Sequence, residues 1–257
     1  MSDDDSISEV AGTAGASVVA GTAGASRVPG TIVRAGGPQP IARVPRVAGI
    51  VLAGGRSRRF GADKLAAPYG DGSLLGATVR AVAEVVDEVI VAIGPAGDEP
   101  ILPGDLQATT RFVRDTEEGG GPLAALPAPL DATEAPVVLV VAGDTPHLPR
   151  GVAYALLDAL AGPGPARPGL TVGGDRGRAL AAALLVGGSF QPLPFALRRE
   201  PARRVVVRLL AEGERRLVPL FVSLGATAVP EETWRREDPD GLVLRDVDTP
   251  DDLADIP

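Results

Sequence analysis

The segment LAGGRSRRFGADK, Leu52 to Lys64, brings together the parts of an anion cradle. Gly54 and Gly55 let backbone N–H groups approach a phosphate closely, Arg56, Arg58 and Arg59 add charge, and Lys64 can reach back as a point charge. The spacing matches neither a Walker loop nor a GxGxxG fingerprint, so any phosphate chemistry here is of another type. A second chemical group is the carboxylate of Asp144, at the end of the run VVLVVAGD. At the tip of a buried strand a carboxylate faces the ligand crevice while the sheet holds its backbone. Asp248, ahead of Thr249 and Pro250, and Asp246, two residues earlier on the same strand face, offer further carboxylates. An Asp before Thr-Pro is equally an ordinary residue at the start of a helix.

Composition narrows the chemistry further. The chain of 257 residues has no Cys, which excludes disulfides, thiolate zinc sites and a catalytic thiol. Its single His, His147, excludes most imidazole metal sites; a lone His is more often a loop or packing residue than a catalyst. A net charge of -8 argues against nucleic-acid binding through a broad basic face. No apolar run approaches the roughly 18 residues of a membrane span, and the start MSDDDSISEV is acidic where a signal peptide is basic. These features lead to the expectation of a soluble cytoplasmic protein with no membrane partner.

The groups that could do chemistry need elements to position them. Val47 to Ala53 is a continuous apolar run entering a glycine loop, the pattern of a buried strand. Leu75, Val79, Val82 and Val86 recur on one face of a helix expected over Ser73 to Val86, with Ser73 as N-cap. Glu88 to Gly94, Thr110 to Asp115 and Val137 to Asp144 read as strands, with a short helix at Leu123 to Leu130 between the last two. Pro149 opens a helix through Ala161, where its missing N–H costs nothing. Leu170 to Val172 and Ala179 to Val186, on either side of GGDRGR, read as a hairpin. Helices over Pro201 to Glu212 and Leu217 to Leu224, a strand over Leu242 to Val247 and a helix from Pro250 complete the pattern, while the run around Trp234 reads as a solvated segment. Strands alternating with helices imply a mostly parallel sheet covered on both faces.

Residues 1 to 45 differ from the rest. They contain no Leu and no aromatic residue, and VAGTAGAS occurs twice, at Val10 to Ser17 and Val19 to Ser26. Such a stretch buries too little apolar surface to offset its ordering entropy, so it is expected to be a disordered low-complexity tail or spacer, leaving 46 to 257 as one domain.

Five stretches in order resemble the nucleotidyltransferases with a glycosyltransferase-A-like fold, and most closely the molybdenum cofactor guanylyltransferases. They are LAGGRSRRFGADK, RDTEEGGGPLAAL from Arg114, AGDTPHLP from Ala142, AEGERRL from Ala211 and DVDTPDDL from Asp246. The resemblance runs from Ala48 to Ile256 and implies a three-layer α/β/α Rossmann-like fold with a mostly parallel mixed sheet. It implies Mg²⁺-dependent transfer of GMP from GTP to the phosphate of molybdopterin, with release of pyrophosphate. By the same resemblance, Leu52, Ala53, Gly54 and Gly55 form the segment that touches the nucleotide, Lys64 and Asp115 contact it, and Arg59 meets the triphosphate. Asp144 holds Mg²⁺ and nucleotide, with Asp248 or Asp246 as second ligand. Transient contact with molybdoenzymes or their chaperones, and a monomeric or homodimeric state, also follow from the resemblance.

Three departures stand beside it. Ala92 occupies a place where close relatives often carry Asn, Phe60 replaces a Met, and His147 stands where Phe or Tyr is usual. The loss of the Asn and the DVDTP stretch keep open a cytidylyltransferase, or a nucleotidyltransferase for a sugar or alcohol phosphate; GERR favours guanylyl transfer. A non-catalytic nucleotide-binding module is a further reading, since fold does not dictate function.

Overall fold

The computed structural model describes residues 46–54, 64–96, 98–115, 119–161, 179–245, 247 and 252. The expected tail at 1–45 lies outside these residues, and so do Gly55, Arg56, Arg58, Arg59, Phe60, Asp246 and Asp248. Among the described residues no helix is long and apolar enough to cross a membrane.

The buried strands expected from apolar runs form with small shifts at their ends. They are β1 (Val47–Leu52), β4 (Glu88–Ile93), β5 (Thr110–Arg114) and β6 (Val137–Ala142). A two-stranded hairpin of β2 (Pro68–Tyr69) and β3 (Gly72–Ser73) follows a short 3-10 turn at Lys64–Ala66. Further strands are β7 (Ala181–Val186), β8 (Ser189–Arg198) and β9 (Thr227–Val229). The main sheet runs β5-β4-β1-β6-β8-β7-β9. Its first four strands are parallel, β8 is antiparallel to β6 and β7, and β9 is parallel to β7, which gives the mostly parallel mixed sheet expected.

Helices cover both faces. On one side α1 (Leu74–Ala83), α2 (Gly104–Gln107), α4 (Arg150–Ala161) and α7 (Glu231–Trp234) pack with Val47, Val51, Val137, Leu139 and Val141. On the other, α3 (Pro127–Asp131), α5 (Arg199–Ala211) and α6 (Val218–Leu224) pack with Ala48, Ile50, Val138, Val140 and Phe195. Alternate residues of β1 and β6 thus enter opposite cores, as a period of two requires. Fully burying a side chain such as that of Ile50 contributes roughly 1.5–3 kcal/mol. Gly49 sets how close α1 comes, because a Cβ there would lie 2.3 Å from Val82 Cγ1. The expected cap is also present: Gly76 N–H donates to Ser73 Oγ at 3.1 Å.

Three expectations are corrected, and two strands join the sheet that local pattern does not show. Strand β7 lies between β8, reached through Gly187 and Gly188, and β9, so both its edges are taken; Leu170 to Val172 lies outside the described residues. Strand β8 escapes sequence reading because Pro192 and Pro194 argue against a strand, yet they fall where the β7–β8 register shifts. Strand β9 is too short to show a period. In place of a strand from Leu242, the chain forms a 3-10 turn, Leu242–Leu244, because the buried Asp238 carboxylate accepts from Leu242 N–H at 3.0 Å and Val243 N–H at 2.9 Å. Trp234 is not solvated; it is 0% exposed, and its Nε1–H donates to Leu185 O at 3.3 Å.

Candidate active site

At the carboxyl end of β1 the chain continues along its neighbours before it turns away. Ala53 N–H donates to Ala92 O at 2.8 Å, and Gly54 lies against the backbone of Gly94. Leu52, Ala53 and Gly54 therefore sit at the rim of the parallel sheet, where open α/β folds bind ligands. Ala92 is buried in β4 opposite Leu52.

The end of β6 is shaped by Gly143. Its N–H donates to Leu52 O at 2.9 Å, and a Cβ there would meet Leu52 O at 3.1 Å and Ala53 Cα at 3.3 Å. A side chain at this position would push the two backbones apart by a few tenths of an ångström. The buried Thr78 hydroxyl then donates to Gly143 O at 3.0 Å, fastening the loop to α1. Asp144 follows, two residues beyond the strand.

Lys64 opens the 3-10 turn and is only 8% exposed. Its Nζ lies 2.5 Å from Asp144 Oδ2, a charge-assisted contact between residues 80 apart in sequence. The pair places an ammonium and a carboxylate together at one point on the rim, the arrangement needed to meet a phosphate with one group and a cation with the other. Asp115 lies just past β5, its N–H donating to Ile93 O at 2.8 Å; in the sheet order β4 and β1 stand between its strand and that of Asp144. The positions of Gly55, Arg59, Asp246 and Asp248 relative to this pair fall outside the described residues.

A Mg²⁺ ion prefers one or two carboxylates with phosphate oxygens and water completing its shell. The donor set fits that mode through the single hard carboxylate of Asp144. Among the described residues no group of three or more His, Asp or Glu side chains is gathered for a metal ion.

The GERR stretch forms a compact turn after α5. Glu214 accepts from Arg215 N–H and Arg216 N–H, each at 2.9 Å, and from the Arg216 guanidinium at 3.0 and 2.9 Å. The Arg216 guanidinium, followed by these backbone N–H groups, holds the Glu214 carboxyl down to about 2. The carbonyl of Arg215 accepts from Leu123 N–H at 3.1 Å, and Gly121, at φ +82°, lies so close to it that a Cβ would come within 3.0 Å. The turn thus braces the glycine segment that follows Asp115.

Close in sequence to Lys64 and Asp144, a further pair forms between Tyr69, which residue-type reasoning passed over, and His147, which it read as a loop or packing residue. Tyr69, in β2, has its hydroxyl 2.8 Å from His147 Nε2, in the loop after Asp144. A compositional signal was present for Lys64 too: it is the chain's only lysine, every other basic side chain of that class being Arg.

Comparison with known proteins places the chain in a family. Residues 49–223 match the model of the MobA-like NTP transferase domain. The chain is 34% identical over 210 residues to a probable molybdenum cofactor guanylyltransferase of Chloroflexus aggregans, covering 80% of this chain and 91% of that protein. It is also 34% identical over 219 residues to a molybdenum cofactor guanylyltransferase of Rhodobacter capsulatus, covering 81% and 94%. The fold is similar to that of the crystal structure of molybdopterin-guanine dinucleotide biosynthesis protein A from Archaeoglobus fulgidus, with a TM-score of 0.59, 20% identity, and coverage of 81% of this chain and 95% of that one. A family match over most of the domain, and relatives this similar over nearly their whole length, mean that the chain belongs to the MobA-like NTP transferase family.

Proposed function

We propose that this nucleotidyltransferase moves GMP from GTP to the terminal phosphate of molybdopterin, releasing pyrophosphate, as a step in molybdenum cofactor biosynthesis. The observation that carries the reading is the Lys64–Asp144 contact at the carboxyl rim of a parallel sheet, in a chain whose relatives bear the guanylyltransferase name. A phosphate oxygen of the acceptor attacks the α-phosphorus of GTP in line. The new P–O bond forms as the bond to the β-phosphate oxygen breaks, and its electron pair leaves with pyrophosphate. Such a reaction needs positioning and charge neutralisation rather than a nucleophilic side chain, which suits a chain without Cys.

In this reading the backbone of Leu52, Ala53, Gly54 and Gly55 seats the guanine, and Asp115 makes a further nucleotide contact. Lys64 and Arg59 neutralise charge on the departing pyrophosphate. Asp144, with Asp248 or Asp246 as second carboxylate, would hold Mg²⁺, which when bound supplies charge neutralisation at the phosphate oxygens. Residues 46 to 257 form the transferase domain and 1 to 45 a spacer, and the protein works in the cytoplasm.

The test is a thermal-shift panel of GTP, CTP, UTP and ATP with Mg²⁺, followed by pyrophosphate release in the presence of molybdopterin. A nucleotide at 100 times its Kd adds about 2.7 kcal/mol of stability, so GTP should raise the melting temperature most. A larger shift with CTP would replace guanylyl by cytidylyl transfer.

A further inference from the structure

Two segments far apart in sequence meet at the site, and they meet more than once. Lys64 begins the first segment, which runs through the 3-10 turn into the β2–β3 hairpin; Asp144 begins the second, which leads to α4. The Lys64–Asp144 contact joins them at 2.5 Å. Five residues along the first segment and three along the second, Tyr69 and His147 join them again, hydroxyl to Nε2 at 2.8 Å, with the rings edge to face at 6.2 Å.

The rest of each segment is anchored to the body of the domain. Leu74 N–H donates to Ala67 O at 2.9 Å, and Ala67 N–H to Lys64 O at 3.1 Å, so the turn is held to the start of α1. Thr78 and Leu52 hold Gly143 in the same way. Between these anchors, the reach of Lys64 toward Asp144 depends on how the two segments lie against each other.

We propose that the Tyr69–His147 bond is a positioning tie, which sets the Lys64 segment against the Asp144 loop so that the ammonium and the carboxylate are already together before a nucleotide arrives. Burial raises the Tyr69 phenol above its usual value, which keeps its proton in place for donation. The hydroxyl and Nε2 can share the proton in either direction, according to the imidazole tautomer. Tyr69 and His147 are positioning residues here, because they act through Lys64 and Asp144 rather than on the reacting atoms. The inference rests on the proposed nucleotidyl transfer for its consequence and on geometry alone for the tie.

Because Lys64 is the only lysine, acylation by an amine-selective reagent reads its accessibility directly, resolved by mass spectrometry from the N-terminal amine. In the full-length chain, Tyr69→Phe and His147→Phe should each speed acylation of Lys64 by about fivefold, the factor one typical hydrogen bond contributes. The double variant should be no faster than either single one, since both remove the same bond. His147→Gln, whose amide oxygen can still accept, should restore slow acylation. The kcat for pyrophosphate release should fall by a similar factor in the Phe variants, with the GTP KM and melting temperature little changed.

Acylation as slow in both Phe variants as in the wild type would overturn the tie, as would effects that multiply in the double variant. Faster acylation tracking a lowered melting temperature would also overturn it, by making the change one of general loosening. A wild-type chain that acylates as described yet transfers no GMP would reject the proposed function and leave the tie standing.

Discussion

Lys64 Nζ lies 2.5 Å from Asp144 Oδ2, and both groups are largely withdrawn from solvent at the carboxyl rim of the parallel strands. Each neutralises the other, so neither is left as an unpaired charge.

Removing either group should therefore cost catalysis heavily. Asp144→Ala and Lys64→Ala are each expected to lower kcat for pyrophosphate release by roughly 100-fold, the scale of losing one preorganised electrostatic stabiliser. Lys64→Arg should not rescue, because the guanidinium is larger and planar at a position only 8% exposed. Steady-state kinetics with GTP and molybdopterin checks both outcomes.

Metal dependence should appear in binding as well as in turnover. With Mg²⁺ present, GTP is expected to raise the melting temperature, and excess chelator should remove most of that rise. In Asp144→Asn the GTP-induced rise should no longer depend on Mg²⁺. A chelator-insensitive rise in the wild type would move the metal away from Asp144.

Gly49→Ala should destabilise the domain without touching the site. The added methyl would lie 2.3 Å from Val82 Cγ1, inside a packed helix–sheet contact, so the Val82 side chain or α1 must shift. Overpacking of this kind costs about 1–3 kcal/mol. Urea unfolding should show a lower midpoint at an unchanged slope.

Glu214 gives a pH signature. Its carboxyl sits at about 2 against an ordinary 4.5, held down first by Arg216. A carboxylate depressed on folding adds stability that is fully present above about pH 4.5 and is lost as pH falls toward about 2. The difference in melting temperature between the wild type and Glu214→Gln should thus be constant near neutrality and shrink across that acid window. A difference that persists to pH 2 would assign the effect to the shape of the turn rather than to the charge.

Much of the layered fold was legible from local pattern. Continuous apolar runs mark β1, β4 and β6 because strands covered on both faces need no polar side. Ser73 and the spacing of Leu75, Val79 and Val82 mark α1 because capping and the 3.6-residue period are local properties. What local pattern hid were elements whose stability comes from elsewhere. Strand β8 carries prolines that only the register shift with β7 accommodates, and the polar surroundings of Trp234 conceal a ring that packs beneath β7.

The amino-acid sequence by itself determined the chemical groups of this protein: a segment rich in glycine and arginine, one lysine, one histidine, no thiol, and a carboxylate at the end of its most apolar strand. Motif order alone was enough to identify the family. Tertiary structure decided which of those groups touch. Nothing in the residues near Lys64 specifies Asp144, 80 positions away, or pairs Tyr69 with His147. Those contacts follow from the parallel register that lays β1 beside β6 and from a glycine small enough to let the loop close against Leu52. Periodicity reports which face of an element is buried, whereas the meeting of two loops depends on the packing of every layer between them.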